Sequence, residues 1–113
     1  MKPQKLHLST IAVLLLASGV TLAAGPDLKQ GQAVYDKWCA PCHAPGDMHP
    51  GTMALGTKYE GSVPAVLIER TDMTPDFVKQ FVRHGVSIMP FFRKTEITDA
   101  DLENLAAFLA KKK

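Results

Sequence analysis

Apolar residues recur three and four positions apart along much of this chain, and the spacing predicts amphipathic helices. The first predicted helix is capped by Asp27 and runs toward Trp38. Another begins at Thr74 and ends at Gly85, and the last begins at Thr98. Because no run shows the strict alternation of a half-buried strand, the pattern predicts an all-α fold.

Two segments between these helices have weaker patterns. Residues 45–61 hold four glycines and two prolines, which predicts an irregular loop. Ser62, with Pro64 two residues later, predicts a short helix that continues through Ile68.

The N-terminus has the pattern of a secretory signal peptide. Lys2 and Lys5 precede an apolar run over residues 8–22, and small residues follow at Ala23 and Ala24. We expect cleavage after one of these alanines, so that residues 1–24 are removed. A retained anchor is the alternative, but the run is shorter than the ~20 residues of a spanning helix.

The mature chain, residues 25–113, has room for a single small domain. Of the 13 Lys and Arg residues, Lys2 and Lys5 leave with the signal, so 11 remain against 11 Asp and Glu. Three of the remaining lysines form the tail at residues 111–113, and the rest of the domain has no basic stripe. A nucleic-acid partner is therefore not expected.

The stretch Cys39-Ala40-Pro41-Cys42-His43 contains both cysteines of the chain and carries its most specific chemistry. Two thiols at this spacing can each add to one vinyl group of a haem, and the next residue then offers its imidazole to the iron. The motif predicts one covalent haem c attached through Cys39 and Cys42, with His43 as an axial ligand.

Met89 is the expected second axial ligand. A thioether suits haem iron, and Pro90 restrains Met89 to an extended backbone. The mature chain has three other methionines, for which we expect packing roles: Met48, Met53 and Met73. Two histidines are rival ligands, and we expect His49 in a loop and His84 at a helix end instead.

Other residues are expected around the haem. A ligating imidazole usually donates its second nitrogen to an acceptor, and the carbonyl of Pro50 is the candidate for His43. The expected apolar pocket residues are Trp38, Leu55, Phe91 and Phe92.

Two other uses of the cysteines are possible. A thiol–disulfide oxidoreductase would use Cys39 and Cys42 as a redox pair, but no βαβ pattern accompanies them. A zinc module would need ligand pairs with wider spacing than the adjacent Cys42 and His43.

The layout resembles a class I cytochrome c over nearly the whole mature chain. This resemblance implies terminal helices that cross, with Gly31 and Tyr35 against Phe108, and an electron carrier that is not an enzyme on its own. Because haem c is attached outside the cytoplasm in such proteins, it also implies export, to the periplasm in a Gram-negative host.

Residues 85–93, read with residues 81–84, resemble more closely the cytochrome subunit of p-cresol methylhydroxylase-type flavocytochromes, which oxidise 4-alkylphenols. This resemblance implies that the protein accepts single electrons from a flavoprotein subunit and passes them to a downstream acceptor. From the short apolar run we expect no membrane anchor after signal cleavage. The alternative is a free-standing periplasmic carrier that serves another dehydrogenase.

Overall fold

The computed structural model describes residues 1, 3, 19 and 22–111, and within them the chain is helical. The described residues form five α-helices, which are α1 (Leu28–Trp38), α2 (Ala40–His43), α3 (Pro50–Tyr59), α4 (Pro75–His84) and α5 (Asp99–Ala110). A 3₁₀ turn at Leu67–Glu69 lies between α3 and α4. The described residues contain no strand beyond an isolated bridge between Val86 and Met89, so the all-α prediction is confirmed.

Most of the predicted signal segment, residues 1–24, lies outside the described residues. Among the residues that are described, no helix has the length and hydropathy needed to cross a membrane.

The predicted helix starts are formed by the predicted caps. Asp27 Oδ1 accepts hydrogen bonds from the backbone N–H groups of Lys29 at 2.9 Å and Gln30 at 3.1 Å. Thr74 and Thr98 each accept a hydrogen bond from the backbone N–H three residues later. These side chains satisfy donors that have no partner inside the helix.

The predictions for the middle of the chain were wrong. Residues 50–59 form α3 instead of an irregular loop, because Pro50 at its first position has its φ preset for a helix. The predicted helix from Ser62 to Ile68 is reduced to the 3₁₀ turn Leu67–Glu69. So short a segment makes too few hydrogen bonds to offset the cost of helix nucleation.

The terminal helices α1 and α5 cross at Gly31. A Cβ built on Gly31 would lie 2.7 Å from the carbonyl carbon of Asn104 and 2.8 Å from Cβ of Phe108. The rings of Tyr35 and Phe108 pack beside this point with centroids 5.9 Å apart. The crossing places the end of α1, and the cysteine motif that follows it, against the core.

Candidate cofactor site

A cavity of about 470 Å³ lies between the cysteine motif, α3, α4 and the loop after α4. Its wall is mainly apolar. It includes Cys39, Cys42 and His43 from one part of the chain and Met89 from another. The fold therefore brings the four residues predicted to hold a haem to one cavity.

The cysteine motif forms a turn of helix beside this cavity. The N–H groups of Cys42 and His43 donate to the carbonyl of Cys39 at 3.1 and 2.9 Å. Cys39 is buried and Cys42 is exposed. Burial, and to a lesser extent the nearby Cys42, raises the pKa of the Cys39 thiol to about 12, so this thiol stays protonated at neutral pH.

The alternative uses of the cysteines have little support from this geometry. A thiol redox enzyme needs a reactive cysteine whose pKa is lowered toward neutrality, and Cys39 is not suited to that role because burial raises the pKa of its thiol. Within the described residues, no group of three or more Cys, His, Asp or Glu side chains is placed to hold a metal ion, which is what a zinc module requires.

His43 is held with its ring against the start of α3. A Cβ on Gly51 would lie 2.6 Å from Cε1 and 2.7 Å from Nδ1 of His43, so a glycine is needed there. The hydroxyl of Tyr35 donates to the His43 carbonyl at 3.1 Å. Burial lowers the pKa of His43, which favours the neutral imidazole that a metal ligand must be.

Nδ1 of His43 is buried and has no hydrogen-bond partner among the described residues. The structure therefore does not show the expected bond to the carbonyl of Pro50, although Pro50 does line the cavity. Pro50 is the first residue of α3, and in an α-helix that carbonyl accepts from the N–H four residues later.

Met89 reaches the cavity from a tight turn after α4. Gly85 ends the helix with a φ of +66°, and Val86 and Met89 exchange backbone hydrogen bonds of 3.1 and 2.9 Å. Met73 also lines the cavity but is 6% exposed and belongs to the hydrophobic core. Met48 and Met53 are exposed and do not line it.

The rival histidines are engaged elsewhere. His49 Nδ1 lies 3.1 Å from the carbonyl of Pro41, and His84 Nδ1 lies 2.9 Å from the carbonyl of Gln80. Neither residue lines the cavity.

The expected apolar pocket residues are present with one exception. Trp38, Leu55 and Phe92 line the cavity, and the Trp38 and Phe92 rings meet edge to face with centroids 5.7 Å apart. Phe91 is 60% exposed and does not line the cavity. The adjacent side chains of Phe91 and Phe92 thus lie in different surroundings, Phe91 in solvent and Phe92 in the cavity wall.

Sequence reasoning missed the buried cation of the cavity wall. Arg70 is only 4% exposed and forms a two-point pair with Asp72, with distances of 2.9 and 2.6 Å. Its guanidinium lies over the rings of Tyr59 and Phe77. The pair holds the pKa of Asp72 below its usual range. The sole sequence signal is an acid two residues after an arginine, which is too common to mark a site.

Comparison with known proteins identifies the family of the chain. Residues 26–109 match the model of the family described as cytochrome c oxidase, cbb3-type, subunit III. The chain is 29% identical over 110 residues to a cytochrome c6 of Thermosynechococcus vestitus, and 28% identical over 110 residues to one of Thermostichus vulcanus. Each alignment covers 96% of this chain and 91% of the relative.

Proposed function

Since the chain belongs to the cytochrome c family described as cytochrome c oxidase, cbb3-type, subunit III, we propose which of its residues hold the haem and which partner it serves. It is a class I c-type cytochrome and an electron carrier, not an enzyme. Its attachment motif corresponds to one covalent haem c. The observation that carries the proposal is that this motif and Met89 line one cavity.

In the proposed site, Cys39 and Cys42 would hold the haem through thioethers, and His43 and Met89 would be the ligands of its iron. The neutral, tightly packed imidazole of His43 supports its role. Between the two methionines of the wall we choose Met89, because Met73 is packed in the core. A haem held by these two ligands would supply one-electron chemistry and would offer no open site for oxygen.

The cavity wall also provides positive charge that can pair with the two carboxylates of a haem. Arg70 is the buried cation, and Lys58 and Tyr59 line the cavity beside it. Arg70 is fixed by Asp72, which leaves part of its five-donor guanidinium for another acceptor. We assign Arg70 to the carboxylate end of the haem. The apolar residues Trp38 and Phe92 exclude water on another part of the wall.

For the partner we propose the flavoprotein subunit of a 4-alkylphenol-oxidising flavocytochrome, which passes single electrons to this protein in the periplasm. The sequence of residues 85–93 supports this choice. That segment also carries exposed apolar side chains: Val86 and Ile88, which line the cavity, are 49% and 84% exposed, and Phe91, which does not line it, is 60% exposed. We propose that these three residues, the apolar rim, contact the flavoprotein.

A free-standing electron carrier is the second candidate. It is compatible with the comparisons, in which relatives named cytochrome c6 align over nearly their whole length with this chain. Both candidates use the same haem site and the same export through residues 1–24, and they differ in the partner.

The partner is tested by mixing the holoprotein with a 4-alkylphenol-oxidising flavoprotein and its substrate and following haem reduction across a salt series. We expect the affinity of the two proteins to depend only weakly on salt concentration, because the proposed contact is apolar. Phe91→Ala should weaken binding strongly. Leu28→Ala is the matched control, since Leu28 is 47% exposed at the start of α1 and does not line the cavity.

Two results would count against this partner. If affinity collapsed between low and moderate salt, charge and not the apolar rim would hold the complex. If the flavoprotein reduced the haem no faster than an unrelated reductant did, the free-standing carrier would be the better description.

A further inference from the structure

The loop that carries Met89 is attached to the rest of the domain at both ends. At its start, the chain folds back over Gly85, where a Cβ would lie 2.6 Å from the Met89 carbonyl oxygen. At its end, the N–H of Phe92 donates to the carbonyl of Val82 in α4 at 2.8 Å. Between these points lies an exposed turn in which Ser87 has a φ of +53°. The position of Met89 therefore depends on the two attachments.

Arg83 makes the second attachment a double one. Its Nη1 donates to the carbonyl of Phe92 at 3.1 Å, so both peptide groups of Phe92 are held by neighbouring residues of α4. Its Nη2 donates to Oδ1 of Asp99, the first residue of α5, at 2.8 Å. One guanidinium thus joins α4, the returning end of the Met89 loop and α5.

The surroundings of Arg83 favour a fixed side chain. It is 18% exposed, and Asp99 also accepts a hydrogen bond from Lys94 Nζ at 2.8 Å. The two cations hold the pKa of Asp99 below its usual range, so the carboxylate stays charged. Hydrogen bonds that involve a charged group are stronger than neutral ones, and the guanidinium fork can make two at a fixed angle.

We propose that Arg83 is a positioning residue that keeps the Met89 loop closed over the cavity, so that the Met89 thioether stays on the iron. The inference rests on the proposed ligation by Met89. Loss of Arg83 should leave the helices in place and increase the fraction of molecules in which the loop is open.

α4 offers a matched control. Lys79 pairs with Glu103 of α5 at 2.6 Å, so it also joins α4 to α5, but it makes no hydrogen bond to residues 85–92. Lys79→Gln removes one α4–α5 ion pair and leaves the loop attachments unchanged. Arg83→Gln removes an ion pair between the same helices together with the bond to Phe92.

The experiment measures binding of free imidazole to the ferric holoprotein, with the red-region sulfur–iron absorption band as the second readout. Imidazole competes with Met89, so its apparent affinity rises with the fraction of open loop. We expect Arg83→Gln to raise that affinity about tenfold, equivalent to about 1.4 kcal/mol. Lys79→Gln should change it less than about twofold, or about 0.4 kcal/mol. An equal change in the two variants would overturn the inference.

A double mutant separates this inference from the ligand assignment. If Arg83 acts through Met89, Arg83→Gln should have almost no effect on imidazole affinity in a Met89→Ala background. If Met89→Ala itself kept the red-region band, the ligand assignment would fail whatever Arg83 does. Should Arg83→Gln not accumulate as folded holoprotein, Arg83→Lys replaces it, because one ammonium group cannot reproduce the two-point fork.

Discussion

Gly31→Ala is the sharpest test of the fold, because one methyl group would be placed inside the α1–α5 crossing. The added Cβ would lie 2.7 Å from the carbonyl carbon of Asn104 and 2.8 Å from Cβ of Phe108. The first of these is a backbone atom and the second is fixed to the backbone, so no side-chain rotation relieves the overlap. The two helices must move apart.

Two effects of opposite sign determine how much Gly31→Ala changes the free energy of unfolding. Alanine is better than glycine inside a helix by about 1 kcal/mol. Overpacking costs about 1–3 kcal/mol, and a clash with backbone lies at the upper end of that range. The separation also weakens hydrogen bonds across the crossing, such as that from the Asp27 N–H to Asn104 at 2.9 Å. We expect a net destabilisation of about 2 kcal/mol, or a fall in Tm of about 8–16 °C for a domain of this size.

The assay is thermal unfolding of the holoprotein followed by far-UV circular dichroism. Gly56→Ala in α3 is the matched control, since a Cβ there would lie 3.8 Å from Cβ of Ala65, an ordinary contact. The control should leave Tm unchanged or raise it, because it gains helix propensity without a clash. A Tm for Gly31→Ala equal to or above that of the wild type would refute the crossing.

Three further predictions concern the haem. Replacing both Cys39 and Cys42 by Ala should abolish the haem that survives acid-acetone extraction, because both thioethers are lost; full retention would contradict the attachment. Gly51→Ala should displace the His43 ring, since its Cβ would lie 2.6 Å from Cε1, and should lower the yield of attached low-spin haem in the absorption spectrum, whereas Gly56→Ala in the same helix should not. Met89→Ala should remove the red-region band and lower the reduction potential, because a weaker ligand stabilises ferric iron; the same loss in Met73→Ala instead would reverse the assignment.

The sequence predicted the features that depend on local chemistry. The caps at Asp27, Thr74 and Thr98 and the stop at Gly85 follow from hydrogen bonds within a few residues. The haem motif was recognisable for the same reason. It occupies five consecutive residues, and its two thiols and its imidazole are carried by one local turn.

Features that depend on distant contacts were harder to predict. α3 was expected to be a loop because of its glycines, yet Gly51 is required by the His43 ring that packs against it. Arg70 had no periodic signal, since its burial depends on Asp72, Tyr59 and Phe77 meeting around it. The outward position of Phe91 depends on how its neighbour Phe92 bonds to α4. In each case the deciding partner is remote in sequence or set by the tertiary fold.

The central claim, a six-coordinate electron carrier with one haem c, is tested most directly by a spectroelectrochemical titration of the purified holoprotein. We predict an intense Soret band, a single reversible one-electron transition, and a ferrous form that does not bind carbon monoxide, because the proposed ligation by His43 and Met89 leaves no open position on the iron. A two-electron thiol transition without a Soret band, or a ferrous form that binds carbon monoxide readily, would contradict the account.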